Sequence, residues 1–151
     1  MTLKKLHPKN VLEFFVPSED ISFGQPFIAN GISAGFPSPA DDFRQESISL
    51  DAALVKNKEA TFYARVRGQS MTGAGLDDGD LLVIDRSLEP KDNQIAVCYL
   101  DGAFTVKRLK VSEKGVFLMP ENPDYPAIPV TEGQELIVWG VVTYVIKNVS
   151  S

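Results

Sequence analysis

Apolar positions along this chain fall in short bursts separated by turn residues. Residues 62–66 are apolar, aromatic and β-branched, residues 81–84 are a continuous apolar run, and residues 95–100 are another. Each has the length and composition of a buried strand rather than of a helix. Asp101 and Gly102 sit between the runs 95–100 and 104–109 as a two-residue hairpin turn requires, so these runs are expected to pair antiparallel. Residues 116–119 follow Lys114 and Gly115, a connection runs through Pro120, Pro123, Pro126 and Pro129, and residues 136–145 predict a last long strand. No segment keeps a helical period beyond three turns. The expected fold is therefore mainly β: a curled antiparallel sheet or partial barrel with few helices.

The first part of the chain reads differently. Pro8, Pro17, Pro26, Pro37 and Pro39 interrupt every apolar patch, and Gly24, Gly31 and Gly35 loosen what lies between. Residues 12–15 and 27–29 are short enough to pair as extended strands, but the pattern is better read as an arm lying on another surface. The chain is accordingly divided into an extended arm, 1–42, and a globular domain, 43–151.

Composition narrows the function. At 151 residues and 44% hydrophobic, the chain is long enough to bury one real core. Its net charge of −5 argues against direct duplex binding, which depends on lysine and arginine neutralising phosphates. No apolar run approaches the roughly 20 residues that span a bilayer, and the first ten residues lack the apolar core of a signal peptide, so a cytoplasmic protein without membrane contact is expected. The one cysteine, Cys98, excludes an internal disulfide framework and reads as a small core residue. Trp139 reads as a core or dimer-interface residue. The acidic run Asp77, Asp78, Gly79, Asp80 lacks the further ligands of a calcium loop and reads as a solvated turn, so neither metal nor cofactor is expected.

Two residues carry candidate chemistry. Ser70 lies in Gly68-Gln69-Ser70-Met71, between a strand and a glycine-rich loop, a way to hold a nucleophile in a tight turn beside backbone N–H groups. The only histidine, His7, is far out in the arm, so a lysine made neutral by burial is the available base. Lys107 shares one strand face with Thr105 and Leu109, which supply a hydroxyl and an apolar neighbour. Taken alone, the serine reads better as an ordinary turn residue and the lysine better as a solvated one.

Taken together, these segments resemble a known family. The stretch 68–71, then 76–83, then Asp101-Gly102 leading to Thr105-Val106-Lys107-Arg108-Leu109, then 118–122 and 139–142, are similar in that order to the C-terminal domain of LexA/UmuD-type self-cleaving serine-lysine peptidases. The resemblance runs from about residue 33 to the end and departs at Gln69, where UmuD-like chains often carry aspartate. It implies that Ser70 is the nucleophile and Lys107, 37 residues on, its general base, with Gln69, Met71 and Thr105 contributing to oxyanion binding and positioning. It also implies a scissile bond at Ala34-Gly35, before a Phe-Pro-Ser-Pro-Ala segment, where small residues let an extended backbone approach a crowded nucleophile. A three-helix DNA-binding domain needs about 60 residues, more than precede that bond, which favours the UmuD type over the repressors. The resemblance further implies an SOS-response role. Self-cleavage is then stimulated by a RecA filament on single-stranded DNA, and the shortened homodimer joins a UmuC-type translesion polymerase. The alternative is a regulatory binding module that keeps the fold and does not cut.

Overall fold

The computed structural model describes residues 12–18, 25–28 and 45–150. Strand β1, Glu13–Phe15, comes first. Strands β2, Gln25–Ile28, and β3, Gln45–Ile48, pair antiparallel as a separate two-stranded sheet. A five-residue helix, α1, Leu50–Leu54, follows, its N-terminus capped by the Ser49 hydroxyl, which accepts from the Ala52 N–H at 3.3 Å. These last three elements belong to one compact unit, Ser18–Lys56, whereas β1 belongs to the larger unit that continues from Asn57. Compactness thus divides the chain at other places than the 1–42 arm and 43–151 domain read from the sequence.

The larger unit is mostly sheet. Its further strands are β4, Thr61–Arg65, β5, Leu81–Asp85, β6, Ile95–Leu100, β7, Ala103–Ser112, β8, Gly115–Met119, β9, Ile128–Val130, and β10, Leu136–Ile146. Eight strands form one open antiparallel sheet in the order β1-β4-β5-β10-β6-β7-β8-β9. The mainly β, unclosed antiparallel architecture expected from the sequence is what the chain adopts. Strand β10 lies between β5 and β6, and its register shifts between Val138 and Gly140 and again between Val142 and Tyr144. Such bulges bend a long central strand and raise its twist, which curls the sheet.

The hairpin of β6 and β7 has the two-residue turn that Asp101 and Gly102 predict, with Leu100 opposite Ala103. Their φ angles of 49° and 87° are those of a primed turn, whose twist matches the flanking strands. The sequence pattern misses β9, because Pro129 argues against a strand. Its place at the sheet's outer edge removes the objection, since a proline there forfeits only one edge N–H.

Alternation along β6 and β7 sorts side chains into two buried clusters. Val97 and Val106 join Leu82, Ile84, Ala64, Val66, Met71 and Leu76, with Phe104 and Trp139 packed on them. On the other face Ala96, Cys98 and Leu109 pack with Leu118. Cys98 is a fully buried core residue, as its apolar run suggested. Trp139 packs edge-on against Phe14 at 4.9 Å and Phe104 at 6.0 Å and tilts against Phe62 at 5.0 Å, and Arg86 covers its ring at 4.5 Å. Among the described residues no helix is long and apolar enough to cross a membrane.

Candidate active site

Ser70 is set by a turn that cannot easily shift. Strand β4 runs on through Val66, and at Gly68 the chain takes φ 95°, a region open to glycine at little cost. The Gly68 N–H donates to Asp78 Oδ1 at 2.8 Å, and the Val66 carbonyl accepts from the Gly79 N–H at 2.8 Å. Two residues beyond Gly68 comes Ser70, and Met71 then drops into the larger core cluster and anchors the turn from below.

A second segment clamps this turn from the side. The Glu121 N–H donates to the Ser70 carbonyl at 2.8 Å, and the Glu121 carbonyl accepts from the Gly73 N–H at 2.7 Å. Asn122 Nδ2 donates to the Gln69 carbonyl at 2.8 Å. The approach is so close that a Cβ on Gly73 would lie 2.5 Å from the Glu121 oxygen. Glu121 is itself paired with Arg108, the residue after Lys107, so the clamp links the serine turn to the lysine strand. Residues 118–122 carry part of the family resemblance, yet the sequence assigned them no role.

Lys107 reaches Ser70 across the cleft. Its Nζ donates to Ser70 Oγ at 2.9 Å, to Thr105 Oγ1 at 2.7 Å and to the Val106 carbonyl at 3.1 Å. These are three acceptors for the three N–H bonds of an ammonium group. The side chain is 7% exposed. Burial disfavours the charged amine and pulls its pKa from 10.5 down to about 8, while the nearby Cys98 acts weakly in the opposite sense. Burial also pushes the Cys98 thiol up to about 12, so between these values both groups are neutral. When the ammonium loses one proton it keeps two N–H bonds for Thr105 and Val106 and turns its lone pair toward Ser70 Oγ. An amine so placed can accept the serine proton.

The remaining residues named from sequence divide into two sets. Thr105 and Met71 lie at the site, the first on the lysine and the second beneath the turn. Gln69 is exposed, and its backbone carbonyl is what ties it to Asn122. Among the described residues neither the Ser70 nor the Met71 backbone N–H has a hydrogen-bond partner, so both are available to an incoming oxygen. Ala34 and Gly35 lie outside the described residues, as does His7. The site opens into a cleft of about 200 Å³ walled by Leu12, Arg67, Met71, Thr105, Tyr125 and Ile128. The acidic run beyond it is occupied by protein groups: Lys147 pairs with Asp77 and Asp80, and Asp78 holds Gly68.

Comparison with known proteins gives the family of the chain. The family model described as Peptidase S24-like matches residues 26–143. Protein ImpA of Salmonella typhimurium is 39% identical over 132 residues, which make up 87% of this chain and 90% of that protein. Protein MucA of Escherichia coli is 41% identical over 120 residues, 79% of this chain and 82% of that protein. The LexA repressor of Paracidovorax citrulli is 35% identical over 136 residues, 90% of this chain and 60% of the repressor, the rest of which lies outside the match.

Proposed function

The chain belongs to the Peptidase S24-like family, and on that premise we propose that it is a UmuD-type protein that cuts itself between Ala34 and Gly35 with Ser70 and Lys107. Neutral Lys107 takes the Ser70 hydroxyl proton as Oγ attacks the Ala34 carbonyl carbon. The oxyanion so formed is held by the backbone N–H groups of Ser70 and Met71. Collapse breaks the bond to Gly35, whose leaving nitrogen receives the proton from Lys107, and an ester joins Ala34 to Ser70. Water, deprotonated by the same amine, then hydrolyses that ester. The observation that carries this reading is the hydrogen bond between a buried lysine, lowered to about 8, and Ser70 Oγ.

The wider role rests on the resemblance to UmuD-type proteins. A RecA filament on single-stranded DNA promotes the cut, the shortened chains form a cytoplasmic homodimer, and the dimer serves a UmuC-type polymerase in the SOS response. The net charge of −5 supports contact with DNA through other proteins rather than directly. Exposed Ile137, Tyr144, Val145 and Ile146 on β10 support pairing of two copies through the last strand. Incubation at alkaline pH followed by intact mass measurement tests the cut. Pieces corresponding to residues 1–34 and 35–151, absent from Ser70→Ala protein, are expected. An uncut chain under these conditions, and with a RecA filament added, would leave the non-cutting regulatory module as the better reading.

A further inference from the structure

Strand β1 precedes the residues that match the family model, and it is bound on three sides. Its backbone pairs with β4, Glu13 opposite Arg65, Phe14 opposite Ala64 and Phe15 opposite Tyr63. Leu12 is 4% exposed and sits in the larger core cluster with Val66, Met71 and Leu76. The Phe14 ring meets Phe104 at 5.1 Å and Trp139 at 4.9 Å, both edge-on. Arg67 donates to Glu13 Oε1 at 2.5 Å, while Phe15 and Val16 face solvent at 43% and 68% exposure. Backbone pairing with alternate side chains in pockets is how sheet edges recognise an extended peptide.

The proposed scissile bond falls between β2 and β3 in the chain. A cut there leaves β1 and β2 on one piece and both their pairing partners, β4 and β3, on the other. We propose that the outer edge of β4, with Arg67 and the pocket between Phe104 and Trp139, is a strand-acceptor site filled by residues 12–15, and that it holds residues 1–34 as a non-covalent piece after cutting. Where the bond lies rests on the function proposed above; the acceptor site does not. Cleavage alone then fails to expose the β4 edge. It replaces a tethered contact, formed at high effective concentration, with a bimolecular one that dilution or a competing strand releases. Because Leu12 also walls the cleft beside Ser70, release of the piece opens that cleft as well.

The test separates retention from self-cleavage. Full-length Ser70→Ala protein carrying the recognition sequence of an unrelated site-specific protease between Ala34 and Gly35 is nicked and passed over a sizing column at micromolar concentration in native buffer. The small piece is expected to elute with the large one, and a labelled peptide of residues 8–18 to exchange into the site only after nicking. Phe14→Ala should weaken retention by more than about tenfold, since the ring is the buried anchor. Glu13→Lys, an exposed change that the fold tolerates, should weaken it by a few fold, and Arg67→Glu added to Glu13→Lys should restore it. Free elution of the small piece overturns the proposal. So does retention unchanged by both Phe14→Ala and Glu13→Lys, which would assign the hold to β2 and β3 alone. Self-cleavage of the unmodified chain is read separately by mass, so its absence bears on the proposed function and leaves this result standing.

Discussion

The two faces of β7 are only one residue apart, yet they ask opposite things of the fold. On one face Val106 is closed over by a wholly apolar cluster with Phe104 and Trp139 beside it. On the other, Lys107 is just as deeply buried, between Thr105 and Leu109, with a smaller cluster of Ala96, Cys98 and Leu118 nearby. The first face contributes stability in the ordinary way, by removing apolar surface from water. The second gives some of it up, because an ammonium group kept from water is disfavoured and only three hydrogen bonds offset the loss. The larger cluster holds the serine turn through Met71, and the smaller one lies beside the buried amine.

Four substitutions sharpen that contrast. The largest expected effect is from Lys107→Arg, which keeps the charge and the length. A guanidinium does not release its proton near neutral pH, so self-cleavage should fall by at least about a thousandfold in a gel or mass assay. Next is Val106→Ala on the opposite face, which should cost about 2 kcal/mol in denaturant unfolding through the cavity it leaves. Thr105→Val should slow cutting by about tenfold, because it removes the acceptor that aims Nζ. That acceptor favours the ammonium form, so its loss should also move the midpoint of the pH–rate curve to lower pH.

The smallest effect has the opposite sign to Val106→Ala. Lys107→Met should stabilise the chain at pH 7 by about 1 kcal/mol, less than the roughly 3 kcal/mol that the full shift represents, because Thr105 and Val106 lose a donor. The folded lysine titrates near 8 and the unfolded one at 10.5, so between these values the unfolded chain binds more protons. Wild-type stability should therefore rise as pH climbs through that window, with the full cost of the charge present below it. The advantage of Lys107→Met should shrink across the same window, and unfolding curves at several pH values check both.

Much of the fold is legible in the sequence, and the failures have physical causes. The runs at 62–66, 81–84, 95–100, 104–109, 116–119 and 136–145 anticipate six strands to within a few residues, because alternation and turn chemistry are local signals. Strand β9 escapes because a proline is excluded from sheet interiors but tolerated at an edge, and edges are not visible in sequence. Helix α1 escapes because five residues are too few for a period to register. The pattern puts Lys107 and Thr105 on one face, but by itself it favours a solvated lysine. What the pattern does not give is the serine turn brought over that face from 37 residues away, where Nζ meets Ser70 Oγ. The hold of Glu121 and Asn122 on the serine turn is equally long-range. The proline-broken pattern reads residues 12–15 as part of an arm on another surface, and in the structure residues 13–15 form the edge strand of the main sheet.

The central claim, that neutral Lys107 activates Ser70, is tested most directly by the rate of self-cleavage as a function of pH, measured from about 6 to 10 without any stimulating filament. With the lysine lowered to about 8, the rate should climb about tenfold per unit at the acid end, bend near 8 and level off above it. A rate that stays flat across that range, or that keeps rising to a bend near 10.5, would contradict the account: the first because no lysine proton is involved, the second because burial has not prepared it.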